Sequence, residues 1–577
     1  MAHLYKKVKK GHEYYYIRET QRVYGKPTTI NQVYLGTADR VQAALGKGGF
    51  SPKEFGSVFI LNELDRTLDL AGIVNEILPA KKKTKGPTLG ELVFYAALNR
   101  AVAPTSKRRL ASWYETTDIQ RIRPLRLESL NSQNFWNHWD RISALDLDKI
   151  SAAFFKKVYA LLPQQETHLL VEAGNIYATP RAPAAASLEL EGHDIAAPSR
   201  QRVGLALFTE RTAGVPLYYR TFDGGLPEGE FFQRHLDGLL AKVSSLGVRA
   251  QQATLLLHPG FDSGAVIQKV DADPGLHFIA SCSPDKVPEL TIISLKEFSP
   301  LASRSSGRPG DSERDEDKVL YYETQTPFWN NNRKVIIVFD PKTFNRSYQD
   351  LGKKVQRVRK EMLSLQQKYQ QEGFPPDAPQ SIQEQLTHLC QRLKLDPTLF
   401  DLSFHEENGF LRMDFQLNHR QMASKVRRFG KNILITDHED WSAAEIYEVY
   451  TKRYLAGVQG ADGKTQETGE NPFQAALMPL YHWTGSKIRV HMFVCVVALT
   501  YLALVCQRLQ GAGLKIPPLE VMEELRSLRT AIYASEGEGK LKRVIEKAND
   551  TQIAILKALG YEVQEGKVQP LQPALSP

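Results

Sequence analysis

The sequence predicts an α/β protein whose core is interrupted by a large mixed insertion and preceded by a basic β-hairpin region and a helical region. Three observations lead there. Short apolar runs at 168–178, 202–210, 215–222 and 253–258 have strand length, and a helix is expected at about 229–246 between the last two. Between 277 and 435 that pattern breaks into heptad-spaced helices flanked by further strand-like runs. Charge is also uneven. Residues 1–130 hold 22 Lys and Arg against 12 Asp and Glu, whereas the rest of the 577-residue chain sums to −1 of a total of +9. A basic module ahead of a neutral body points to a polyanion, nucleic acid first; a merely well-solvated surface is the alternative.

The elements follow in order. Residues 1–50 form a basic β-hairpin region, in which 5–36 alternate basic with aromatic or aliphatic side chains around Gly11 and Gly25-Lys26 and read as a small sheet of hairpins. Val8, Tyr14, Tyr16 and Ile17 are expected on one face, with Lys6, Lys7, Lys9 and Lys10 in water. Such a sheet suits a phosphate backbone or a charged, protected edge. Residues 51–150 turn helical, with LGELVFYAALNRAV (89–102) at helical apolar spacing. Two basic clusters flank this helix, Lys81, Lys82, Lys83 and Lys107, Arg108, Arg109. Exposed cations on short helices suit a DNA-binding module. In 131–142, Trp136 and Trp139 read as core anchors.

The first half of the α/β core occupies 151–276. Strand, hairpin at Gly214-Val215-Pro216, strand, helix, strand is the opening of an RNase H-like fold, although periodicity alone allows other α/β folds. The insertion at 277–435 contains a polar stretch (303–318), strand-like runs at 335–340 and 410–417, and a helical hairpin at 345–395. In that hairpin Leu351, Val355, Val358, Met362, Leu365 and Tyr369 repeat every three or four residues, as do Ile382, Leu386, Leu389 and Leu393. It serves as a dimerisation arm or an internal brace. The core resumes at 436–510. A C-terminal region, 511–577, begins with a helical run (519–534) and ends in a polar tail.

Four cysteines without CxxC spacing read as reduced, buried thiols, which fits a cytoplasmic protein rather than a disulfide frame or zinc site. No signal peptide is evident. The longest apolar run, 492–506, is short for a membrane span and suits a core helix, so no membrane role is expected.

One stretch carries a resemblance. In 445–491, Tyr450, Arg453 and Lys464 fall on the Tyr-x2-Arg-x3-Glu-x6-Lys spacing of bacterial insertion-sequence DDE transposases, with Gly457 at the Glu position. Together with RPLRLESLNSQNFW, RVGLALFTERTAGVPLYYRTFDG and MPLYHWTGSKIRVH, the chain resembles the large-insertion branch of that group from about residue 5 to 565. The resemblance implies an RNase H-like core carrying three carboxylates that hold two Mg²⁺ ions for in-line phosphoryl transfer.

At the implied carboxylate positions this chain has Glu172, His258 and Gly457. Glu172 adds a methylene, and a displacement of roughly 1 Å can cost about 10²-fold in a positioned reaction. The retained Gly260 fixes the register at His258, whose imidazole suits transition metals rather than Mg²⁺. Gly457 supplies no ligand. Asp262 and Asp462 are the neighbours that would have to substitute, with Mg²⁺ as cofactor, if the chain cut DNA. The expectation is therefore a catalytically inactive, transposase-derived DNA-binding protein with no cofactor. It would be a bacterial cytoplasmic protein, nucleoid-associated when bound. Its partner is DNA, for instance terminal inverted repeats of a related element, bound as a homo-oligomer. Tyr450, Arg453, Lys464, Lys487 and Arg489 join the two N-terminal basic clusters as expected DNA contacts; Trp483 and Thr484 read as a helix start. An active nuclease and a DNA-free protein scaffold are the alternatives.

Overall fold

The basic N-terminal segment forms an antiparallel three-stranded sheet of β1 (Ala2–Lys9), β2 (His12–Val23) and β3 (Lys26–Gly36). The computed structural model describes residues 2–9, 12–23, 26–36, 50–80, 86–162, 167–177, 202–224, 226–258, 264–301, 318–455, 472–477, 485–534 and 541–571. Expectations for Lys10, Gly11, Gly25, Lys81, Lys82, Lys83, Gly260, Asp262, Gly457, Asp462, Lys464, 482–484 and most of 303–318 lie outside those residues. The fold is mixed α/β, and its contacts cluster into two units, Met1–Leu256 with Lys269–Leu276 and Lys452–Pro577, and Leu257–Gln268 with His277–Thr451.

In the first unit, strand alternation corrects one expectation. Tyr16 and Ile17 are neighbours along β2 and so face opposite ways. Ile17, Glu19 and Val23 are buried, whereas Val8 stays 59% exposed. A buried ion network holds the inner face. Arg543 donates to Glu19 at 3.1 and 2.9 Å and lies 3.9 Å from Asp118, which also pairs with Arg121 at 3.3 Å. Burial pushes Asp118 up to about 6 from 3.8, against the pull of Arg121 and Arg543.

The C-terminal region departs from its helical reading. The helix Pro518–Ser527 stops, and Arg529–Ala534 is a strand between Leu541–Ile545 and β4 (Phe50–Glu54). Leu528 marks the change, its carbonyl accepting the Phe55 and Gly56 amides at 3.0 Å each. Thr530, Ile532 and Tyr533 favour the strand once a partner is available. The expected polar tail contains a hairpin, Tyr561–Gln564 with Lys567–Pro570, turned through Glu565 and Gly566 at positive φ.

The helical core of this unit centres on Gly485–Gly511, packed on Leu89–Val102. Thr88 and Glu91 form a capping box that starts the latter helix. Gly485–Gly511 is long and apolar enough to cross a membrane, but 94% of its most apolar window is buried inside the structure, which makes it a core helix.

Beside these helices lies a mixed sheet of β5 (Thr167–Tyr177), β6 (Arg202–Glu210), β7 (Pro216–Asp223) and β8 (Ala250–Leu257) in the order β7-β6-β5-β8. β5, β6 and β7 are antiparallel, and β8 returns parallel to β5 through the helix Glu228–Ser245. At Gly204 a Cβ would approach the Phe222 ring to 2.3 Å, so only glycine lets Phe222 lie flat there and stack on Phe231 at 3.9 Å.

The second unit has an antiparallel sheet of β9 (Leu276–Cys282), β10 (Ser299–Pro300), β11 (Leu320–Phe328), β12 (Asn331–Phe339) and, last in the chain, Lys431–Thr436. The helical hairpin is present as Pro341–Lys368 and Ala378–Leu393. Its apolar stripe closes on a two-stranded sheet of its own unit, Phe400–Glu407 with Phe410–Leu417. Val358, Met362, Leu386, Phe400 and Met413 share that core, which makes the hairpin an internal brace.

Replacing Arg543 by Met leaves buried Glu19 and Asp118 to share the half-exposed Arg121 as their remaining cation and is expected to cost about 3 kcal/mol in urea unfolding. Asp118 has its folded pKa above the unfolded value, so its contribution is favourable at low pH and is lost as pH rises from about 3.8 to about 6. Asp118→Asn should remove that decline, read as thermal midpoint against pH.

Candidate nucleic-acid interface

Glu172 sits in the middle of β5, registered against Leu207 on β6 and Leu256 on β8. Its side chain is buried at 3% exposure. A carboxylate can lie there only if its charge is met by donors. Oε1 accepts the Tyr454 N–H at 3.0 Å, and Oε2 accepts the Leu455 N–H at 2.9 Å. The longer glutamate side chain therefore fastens the backbone that follows Arg453 onto the central strand. Burial, and then the charges of Cys506, Glu172 and Glu210, push the Tyr454 phenol up. Gly214, at φ 68°, sits under that phenol, where a Cβ would come within 2.8 Å of the hydroxyl oxygen.

His258 follows β8 directly and is buried. Among the described residues no three His, Cys, Asp or Glu side chains gather as metal ligands. Mg²⁺ requires hard oxygens in octahedral array. Glu172 directs both oxygens at amides and His258 offers nitrogen, so these two residues do not fit a two-Mg²⁺ carboxylate site.

The expected DNA contacts divide. Arg108 and Arg109 are exposed at the start of the helix Leu110–Thr116. Lys107 is not: it is buried, with its ammonium 4.9 Å from the Trp139 ring centroid and 5.6 Å from that of Phe135. A basic triplet reads as surface in sequence, but the loop turns its first member inward. Burial, with Arg100 adding repulsion, holds the Lys107 ammonium well below the ordinary lysine range. Tyr450 is buried at 2% exposure, whereas Arg453 is half-buried. Lys487 pairs with Asp140 at 3.2 Å, and its ammonium lies 5.9 Å from the Trp136 ring. Arg489 is half-buried two residues further along the same helix.

The second unit contains a polar cluster that sequence reasoning missed. Asp437 accepts the His277 ring N–H at 2.9 Å and the Phe278 amide at 2.9 Å, and His438 stacks between His277 and Trp441 at 4.3 and 3.7 Å. Burial opposes ionisation of Asp437, but His277 and the amide outweigh it and hold the carboxyl below its usual value; the same hydrogen bond raises His277. The local run DHEDW was the available signal. Its partner His277 lies far away in sequence.

A scan against protein-family models finds no match, and a search of curated proteins finds none. Among solved structures, a cryo-EM structure of the piggyBac transposase synaptic complex with hairpin DNA aligns over 81% of this chain and 78% of that chain, at 11% identity and a TM-score of 0.32. A likeness that remote does not bear on function.

Glu172→Ala should strip acceptors from two amides and lower stability by roughly 2–4 kcal/mol, with Glu172→Gln recovering at most about half, because its amide retains one acceptor oxygen. Lys107 has a folded pKa below the unfolded one, so stability should rise with pH up to about 10. Lys107→Met should abolish that rise and raise the thermal midpoint at pH 7.

Proposed function

We propose that this chain is a DNA-binding protein derived from an insertion-sequence DDE transposase, with an RNase H-like scaffold retained and strand cleavage lost. The observation that carries the reading is Glu172. It occupies the position on β5 where the resemblance implies the first metal carboxylate, and both its oxygens serve backbone amides instead. The order β7-β6-β5-β8, with β8 parallel to β5 after a crossover helix, is the arrangement expected for the opening of an RNase H-like core. The scaffold supports the ancestry, and the altered carboxylate positions Glu172, His258 and Gly457 support the loss of chemistry.

DNA binding draws its support from the basic first 130 residues and from exposed cations such as Arg108 and Arg109. The protein binds duplex DNA, with terminal inverted repeats of a related element as the first target to test, as a homo-oligomer at the bacterial nucleoid. Arg453, Lys487 and Arg489 contribute further cations, and the resemblance assigns Lys464 the same role. For Lys487 this requires that phosphate displace Asp140, an exposed partner whose attraction water already weakens.

The test is a mobility-shift and strand-nicking assay on one set of fragments with Mg²⁺ or Mn²⁺ present. A shift without nicking is expected. Affinity should fall steeply with salt, and Arg108→Ala with Arg109→Ala should flatten the log–log slope by about 2 if each contacts a phosphate. Metal-dependent nicking that needs Asp262 and Asp462 would replace this reading with an active nuclease.

A further inference from the structure

We propose that the outward face of the N-terminal sheet binds single-stranded DNA, stacking unpaired bases on a patch of tyrosines. The inference rests on the DNA-binding reading above and goes further, because it assigns a DNA form to one surface. Residues paired across an antiparallel sheet share a face. Tyr5 pairs with Tyr16, Lys7 with Tyr14 and Tyr16 with Tyr34, which puts four tyrosines together on the face opposite Ile17 and Glu19. Their ring centroids lie 5.2–6.3 Å apart and their planes are inclined at 45–51°, so no ring covers its neighbour's face. Tyr34 is 53% exposed.

Charge separates between the two faces in the same way. Lys7, Lys9, Arg18 and Arg22 share the tyrosine face. The acidic residues of the three strands, Glu13 and Glu19, are both on the other one, where Lys6 and Arg543 engage them. Among the described residues of the three strands, the tyrosine face therefore presents aromatic rings and cations with no carboxylate. That composition complements a strand whose phosphates are anionic and whose base faces are free to stack. A duplex buries its base faces in the helical stack and is read by amides and guanidinium groups at base edges. Here those readers are engaged: Arg18 donates to Gln32 at 3.1 and 2.8 Å and lies 3.7 Å from the Tyr5 ring centroid.

The test uses the full chain with a labelled oligothymidine and a labelled duplex of equal length, read by fluorescence anisotropy. Tyr34→Ala alters one exposed ring and should weaken oligothymidine binding by about fivefold or more, as expected for one lost stacking contact. Tyr14→Ser, Tyr16→Ser and Tyr34→Ser combined should weaken it much further. The corresponding triple Phe variant keeps the rings and should bind like wild type, which separates stacking from any loss of fold. Duplex affinity should change little in all three. Unchanged oligothymidine affinity in the Tyr34→Ala and triple Ser variants would overturn the proposal. Duplex binding without oligothymidine binding would overturn it and leave the DNA-binding reading standing. If neither oligonucleotide binds at low salt, both fail.

Discussion

A carboxylate buried in the central strand of a sheet must be answered by donors, and the way Glu172 is answered constrains the rest of the first unit. Its two oxygens take the amides of Tyr454 and Leu455, almost three hundred residues further along. The bond is charge-assisted at both ends of the carboxylate, which makes it strong and directional. It fixes where the chain re-enters this unit after Thr451, and it sets the Tyr454 phenol against the Glu210–Gly214 turn, where only glycine leaves room. A shorter side chain at 172 would have to draw that backbone closer to the strand to make the same two bonds.

The other buried charges of this unit follow the same logic. Asp65 is 1% exposed and accepts the Leu70 amide, the Tyr501 hydroxyl and an Arg123 guanidinium at 3.1, 2.6 and 2.8 Å. Glu19 and Asp118 meet Arg543 and Arg121. These networks join segments from the beginning and the end of the chain, and they consume carboxylates in the interior. On the N-terminal sheet Glu19 is taken up in this way, while exposed Glu13 pairs with Lys6 on the same face, and Lys7, Lys9, Arg18 and Arg22 lie on the other. The basic character of the first 130 residues is thereby concentrated at the surface, in a form that phosphates can use.

Local pattern made much of the fold legible. The runs at 202–210 and 89–102 coincide with Arg202–Glu210 and Leu89–Val102, and the two heptad repeats with Pro341–Lys368 and Ala378–Leu393, because periodicity and caps are local properties. The strand Arg529–Ala534 was not legible. Its residues follow a helix without a break, and its partner Phe50–Glu54 lies at the other end of the chain. Lys107 was misread for a similar reason, since a Lys-Arg-Arg triplet carries no sign of which member turns toward Trp139. At the site, Glu172 and His258 were singled out by a resemblance of motifs. That Glu172 is taken up by the backbone could not be read from them, because an amide donor has no sequence signature.

Amide hydrogen exchange at Tyr454 and Leu455 distinguishes a backbone clamp at Glu172 from a metal ligand. A clamp gives slow exchange at both amides, unchanged by millimolar Mn²⁺ or Mg²⁺ and lost in Glu172→Ala. Exchange that accelerates at these two amides when the metal is added would show the carboxylate leaving the backbone for a cation, as a metal ligand does and a clamp does not.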